Sequence, residues 1–245
     1  MGIDLTAIVV GTAVGAAMAI TGSGGSIIGL PLIIHTVGCS IHDASIASLP
    51  IVSIASITTL ISQKESIKFR LAIPIITLAI PAGLFGVYIK SFVSIVMIKL
   101  IIFSAIIWGL ISLMSPQKKS NRRPHFFNAV KLGLLSGGLT GLTGLGGGLI
   151  LVPYLKSQMA ISDSEATATS ALIVFLNSAA TLLSQRVELG LLPISPNMWI
   201  VIVVSCVTTA ISVSKLKALC PPLCRETTVK ITYSIVALVA ILGLR

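Results

Sequence analysis

Long apolar runs divided by short polar clusters set the pattern of this chain. Runs near the length of a membrane crossing fall at 44–62, 71–89, 92–114, 166–184 and 229–244, with a slightly shorter one at 198–214. A bilayer core takes roughly 20 helical residues, so each predicts a transmembrane helix. Two further apolar segments do not fit one span. Residues 4–35 would measure about 48 Å as a straight helix, too long for one crossing and too short for two. They are broken by AITGSGGSIIGLP (19–31), and TGLTGLGGGLILVP (140–153) repeats the anomaly, with five glycines between positions 141 and 148. Glycine is a poor helix former. Each segment therefore reads as two half-helices of roughly 12–18 residues that enter the membrane and return.

The two anomalies belong to a duplicated chain. A shift of 122 positions (153 minus 31) lays Pro31 on Pro153, and from 11/133 to 63/185 about a third of positions are then identical without a gap. Gly15/Gly137, Thr21/Thr143, Gly22/Gly144, Gly24/Gly146, Gly25/Gly147, Ser48/Ser170, Ser56/Ser178 and Ser62/Ser184 coincide, and Asp43 pairs with Glu165. Apolar composition alone does not align glycines, prolines and acids. The expected organisation is a first repeat at 1–114, a basic cytoplasmic connection at 115–128 (SPQKKSNRRPH at its centre) and a second repeat at 129–245.

Charge decides how the repeats are related. If the glycine-broken segments re-enter, each repeat has three full spans and the second is inverted. The arrangement then puts thirteen Lys and Arg on the cytoplasmic side and three, Lys90, Arg186 and Arg245, outside. The best four-span alternative splits them ten to six. Lys and Arg near span ends collect on the cytoplasmic face. The fold class predicted is therefore all-α integral membrane: two inverted repeats, each a Gly-broken re-entrant helical hairpin plus three transmembrane helices.

Irregular backbone at membrane depth persists only where protein buries it or it lines a polar cavity, and paired breaks in matching repeats point to a transporter's binding site. At each break the returning half-helix starts with N–H groups that lack intrahelical partners. Successive glycine N–H groups form an anion-binding nest, reinforced by the helix dipole. The candidate substrate-binding residues are Thr21, Gly22, Ser23, Gly24, Gly25 and Ser26 at one tip, and Thr143, Gly144, Gly146, Gly147 and Gly148 at the other. Pro31 and Pro153 are structural positions expected to distort the returning arms. Ser48, Thr169, Ser170 and Asn177, on the following spans, add hydroxyl and amide groups. Other Ser and Thr of these spans read as back-bonded to their own helix. Gly11/Gly15, Gly133/Gly137 and Gly137/Gly141 read as close-packing pairs.

Composition narrows the function. The chain is 55% hydrophobic and 10% charged, and its formal charge of +10 lies in short loops, where it reads as a topology signal rather than a nucleic-acid surface. The seven acids fall at segment ends, which speaks against a buried carboxylate proton relay or a cation pump. Asp43 and Glu165 read as helix-start acids, and Lys99 as a snorkelling side chain with an anion-attracting role as the minority option. His35, His42 and His125 lack ligand spacing. The four cysteines contain no CxxC; CPPLC at 220–224 reads as a rigid turn. A dinucleotide fingerprint fails because Ile27 and Leu149 stand where a third glycine is needed. MGIDLT fits a myristoylation pattern only weakly, and 1–10 lacks the basic start of a signal peptide. No catalytic constellation, metal site or cofactor is indicated; the chain reads as a protein that moves a solute and is not an enzyme.

TGSGGSIIGLPLI (21–33) and TGLGGGLILVPYL (143–155), each followed by an acid and a small-residue span, resemble the TauE/SafE family of sulfite exporters. The resemblance covers nearly the whole chain. It implies a multi-pass transporter of the bacterial inner membrane for small oxyanions: sulfite, sulfonates such as sulfoacetate, and related organic anions. It places Gly22, Gly24, Gly25, Pro31, Gly144, Gly146, Gly147, Gly148 and Pro153 on the substrate path. The first motif departs from the second in having Ser23 and Ser26 where the second has Leu145 and Gly148. The partners expected are the anion and the bilayer, with a homodimer left open. An anion channel, thiosulfate-type uptake, and a redox role for Cys206, Cys220 and Cys224 are the alternatives.

Overall fold

The computed structural model describes residues 5–21, 25–38, 40–63, 66–114, 126–159, 161–185 and 196–219. The expected span at 229–244, Cys39, Cys220, Cys224 and most of the 115–128 connection lie outside the described residues. Among those described, all regular structure is helical. The order is α1 (Leu5–Thr21), α2 (Gly25–Val37), α3 (Ile41–Gln63), α4 (Phe69–Lys90), α5 (Ile95–Met114), α6 (Phe126–Thr143), α7 (Gly148–Met159), α8 (Asp163–Ser184) and α9 (Pro196–Leu219). Ile41–Gln63, Phe69–Lys90, Asp163–Ser184 and Asn197–Ser214 are long and apolar enough to cross a membrane.

The distribution of side chains is that of a protein solvated by lipid. Ile73, Phe85, Tyr88, Ile95, Leu100 and Ile111 are among many large apolar side chains left exposed on α4 and α5, while Ser45, Ser48, Ser56, Thr169, Ser170, Asn177 and Thr181 are buried. Water would reverse that arrangement. Many of the interior hydroxyls return to their own helix: Ser53 Oγ donates to the Leu49 carbonyl at 2.8 Å, Thr59 Oγ1 to that of Ala55 at 3.1 Å. This is the back-bonding expected of hydroxyls in apolar surroundings.

The second glycine segment interrupts the helices where the sequence places the break, between α6 and α7, while the first falls between α1 and α2, with 22–24 outside the described residues. The arms on either side of each break pack against one another. Pro31 and Pro153 lie inside α2 and α7, which continue past them to Val37 and Met159.

Small residues set the closest packing, and it joins helices from the two halves of the chain. α1 lies on α9, where a Cβ on Gly11 or Gly15 would overlap the carbonyl oxygens of Ile202 and Cys206. α6 lies on α4 in the same way, with Gly133 on Ile75, Gly137 on Ala79 and Gly141 on Gly83. The helix pairs correspond. Exchanging α1–α4 for α6–α9 turns α1 on α9 into α6 on α4, α3 on α9 into α8 on α4, and α2 on α3 into α7 on α8, while α3 on α8 maps onto itself. The offset of 122 holds from Ile41 to Asp163 (163 minus 41) and becomes 127 from Phe69 to Pro196 (196 minus 69), the difference falling between α8 and α9.

Polar contacts fix how α3 and α8 run. Ser164, at the start of α8, bonds Gln63 Oε1 at the end of α3 (3.4 Å) and Ser66 Oγ (3.2 Å). Lys68 Nζ pairs with Glu165 at 2.7 Å, and the Lys68 amide donates to Thr169 Oγ1 at 3.1 Å. The C-terminal end of α3 thus meets the N-terminal end of α8.

Candidate functional site

The second glycine break can be built atom by atom. The Gly144 amide closes the last turn of α6 on the Thr140 carbonyl at 2.8 Å. The chain then enters the left-handed region at Gly144 (φ 73°), Gly146 (φ 68°) and Gly147 (φ 65°). A residue with a Cβ loses about 1–2 kcal/mol there, which is why the stretch is glycine. Thr143 Oγ1 donates to the Leu139 carbonyl at 2.6 Å and accepts the Leu145 amide at 3.2 Å. The Gly147 carbonyl receives the Ile150 and Leu151 amides at 3.2 and 3.4 Å and so starts α7. The N–H groups of Gly146, Gly147, Gly148 and Leu149 meet no acceptor among the described residues, although the whole stretch 143–149 is buried. Such a group costs about 1–3 kcal/mol when it stays unmet in the interior.

Carbonyl oxygens and valines crowd around this tip. Ser48 Oγ donates to the Gly144 carbonyl and to the Ser45 carbonyl, both at 2.9 Å. A Cβ on Gly144 would overlap the Ser45 carbonyl, one on Gly147 would stand 2.5 Å from that of Ser136, and one on Gly146 would stand 2.9 Å from Val52 Cγ1. Close packing, which the sequence assigned to the glycine pairs of α1 and α6, therefore also operates at the tip. It accounts for the missing side chains but not for the unmet amides.

Beside the tip lies a group of buried polar side chains without partners. Asn177 Oδ1, Ser178 Oγ and Thr181 Oγ1 of α8, with Ser56 Oγ of α3, form no hydrogen bond among the described residues. Two glycines border them. A Cβ on Gly83 of α4 would be 2.7 Å from Asn177 Oδ1 and 3.0 Å from Thr181 Oγ1, and one on Gly146 would be 3.6 Å from Ser178 Oγ. The tip, α4 and α8 thus converge on one patch, with Val52 of α3 against Gly146. Native interiors rarely leave such groups unpaired, and a functional site or an absent ligand is the usual reason.

The residues singled out from sequence divide as follows. Ser48 bonds the second tip directly, and Asn177 belongs to the adjoining group. Ser170 is buried and donates to the Thr167 carbonyl at 3.0 Å. Thr169 is taken up by Lys68 near the start of α8, apart from the second tip. Gly22, Ser23 and Gly24 lie outside the described residues, while Thr21, Gly25 and Ser26 are described as helix backbone only. Asp43 and Glu165 stand in the first turns of α3 and α8. Ser40 Oγ bonds the Asp43 carboxylate at 2.7 Å, and Ser162 and Glu165 form a reciprocal capping box.

Sequence reading missed Ser56, Ser178 and Thr181 as a group, although Asn177 and Thr181 stand one turn apart on one helix face. Nor did it foresee the burial of Lys90. Counted above among the outside charges, Lys90 ends α4 only 4% exposed, with its Nζ on Ser45 Oγ. Cys206 is buried against α1.

In comparison with known proteins, the family described as Sulfite exporter TauE/SafE matches residues 7–244. No curated protein and no solved structure matches the chain.

Proposed function

The chain belongs to the TauE/SafE sulfite exporter family, transporters of sulfite or related anions, and from that premise we propose where and how it binds its cargo. The substrate is a small oxyanion: sulfite, a sulfonate such as sulfoacetate, or a close relative. It sits at the second glycine tip. The amides of Gly146, Gly147, Gly148 and Leu149, with Ser178, Thr181 and the Asn177 amide, replace its water. Unmet buried donors beside unpartnered buried hydroxyls are the observation that carries this reading. Pre-placed neutral donors offset the desolvation of such an ion.

The first glycine tip forms the other half of the path. The repeat register supports this: Gly22 corresponds to Gly144, and Ser170 to Ser48, the residue that bonds the second tip. Inverted repeats are supported by the meeting of the end of α3 with the start of α8, since these helices are counterparts. Two such halves expose the site alternately as one unit moves against the other, in a bacterial inner membrane.

Counterflow in proteoliposomes tests the proposal. Saturable sulfite uptake accelerated by sulfite on the far side is expected; flux that neither saturates nor exchanges would make the protein a channel. Asn177→Ala removes a buried Oδ1 that has no partner among the described residues, so its unfolding midpoint should stay within a few degrees of wild type. Its sulfite affinity should fall roughly 10- to 150-fold, in line with the 1.5–3 kcal/mol of a hydrogen bond to a charged group. An unchanged affinity would take Asn177 out of the site.

A further inference from the structure

Among the described residues, Lys90 is the one buried cation beside the second glycine tip, and the proposed site does not use it. It ends α4, is 4% exposed, and bonds a neutral partner, Ser45 Oγ. Among the described residues it forms no direct ion pair: Glu165 is held by Lys68 and Asp163 by Lys156, while Asp43, bonded by Ser40, acts on Lys90 only through its field. An ammonium taken out of water loses several kcal/mol of hydration, and one hydroxyl does not restore it. Such a group is stabilised most by an anion.

Its position says which anion. Ser45 offers its hydroxyl to Lys90, and its carbonyl oxygen lies against Gly144 of the tip and accepts Ser48 Oγ. Gly83, Gly86 and Lys90 follow one another along one face of α4 at spacings of three and four. Gly83 borders Asn177 and Thr181, and Gly86 lies against Gly138, Gly141 and Leu142 in the last turns of α6. Lys90 comes one turn later, about 10 Å along α4 from Gly83, where α6 has given way to the tip. The sequence carries a second trace of the same design. With the offset of 127, Lys217 of α9 occupies the position of Lys90, and with the offset of 122, Thr167 occupies that of Ser45.

We infer that Lys90 is an anion-binding residue of the transport path, receiving the oxyanion at the α4 end of the polar patch and passing it to the neutral donors of the glycine tip. This rests on the anion-transport reading and adds to it a fixed positive charge, hence a requirement that the ligand be charged.

Purified protein titrated with sulfite and with a sulfonate, read by calorimetry and by thermal unfolding, separates the two. If wild type binds neither, the transport reading fails and this inference with it. Given wild-type binding, Lys90→Met is expected to weaken it at least tenfold while the ligand-free midpoint holds or rises, because an unpaired buried charge has gone. Lys90→Arg, which keeps the charge, should stay within a few-fold of wild type. Lys90→Gln keeps a bond to Ser45 without the charge, and decides the matter if Lys90→Met does not fold. Wild-type affinity in the Met or Gln variant overturns the inference. So does a lowered ligand-free midpoint in the Met and Arg variants with an undiminished ligand-induced shift, which would make Lys90 a packing residue.

Discussion

Gly138 and Gly141 stand one turn apart on α6 and respond to a methyl group in opposite ways. A Cβ on Gly141 would overlap the Gly83 carbonyl oxygen, whereas nothing lies within 4 Å of one on Gly138. Gly141→Ala is therefore expected to destabilise the protein by about 1–3 kcal/mol through overpacking. Gly138→Ala should stabilise it by about 0.5–1 kcal/mol, the helix-propensity gain alone. Unfolding midpoints in detergent measure both, and equal responses would refute the packing account. The glycine spacing that makes this contrast was legible in the sequence, as were Asn177 and Ser48, polar residues in apolar runs. Lys90 was not. Its distance from a run's centre says that it ends a helix, but what covers that end depends on Ser45, which folding brings to it from 45 positions away. The unpartnered state of Ser56, Ser178 and Thr181 was hidden for the same reason: a hydroxyl's partner is a property of geometry.

Helix existence followed from apolar periodicity, while helix ends followed from other chemistry. The apolar run at 166–184 marks α8, yet the helix starts at Asp163 because Ser162 accepts the Glu165 amide at 3.3 Å and the Glu165 carboxylate accepts the Ser162 amide at 2.9 Å. Ser162→Ala should lower stability by about 0.5–2 kcal/mol, measured as a fall in the unfolding midpoint without loss of anion affinity. α5 begins at Ile95 rather than at 92, because Phe92 and Val93 still donate to Ile89 and Lys90 in the turn that closes α4. α9 runs on to Leu219, beyond the apolar run that ends at 214, since lysines continue a helix as readily as leucines. The break between α6 and α7 was legible because three left-handed residues in one stretch leave almost no choice but glycine.

At the scale of the whole molecule, duplication was visible from one gapless register, but the way the halves engage was not. Small residues on α1 and α6 announce close partners without naming them; α2 or α3 would have served as well as α9 or α4. Sidedness remains a prediction of the charge pattern. Single cysteines at Lys119 and Lys217 should both react with an impermeant thiol reagent from the cytoplasmic side, in a background freed of native cysteines. Labelling from opposite sides would break the proposed inversion. The seating of α1 on α9 has a consequence for biosynthesis. From Thr21 to Pro196 the ribosome adds 175 residues (196 minus 21), which at 5–20 residues per second takes roughly 10–35 s. Through that interval α1 waits for α9, with its glycine face uncovered, so the nascent chain depends on the insertion machinery or on surrounding lipid to shield it until α9 arrives.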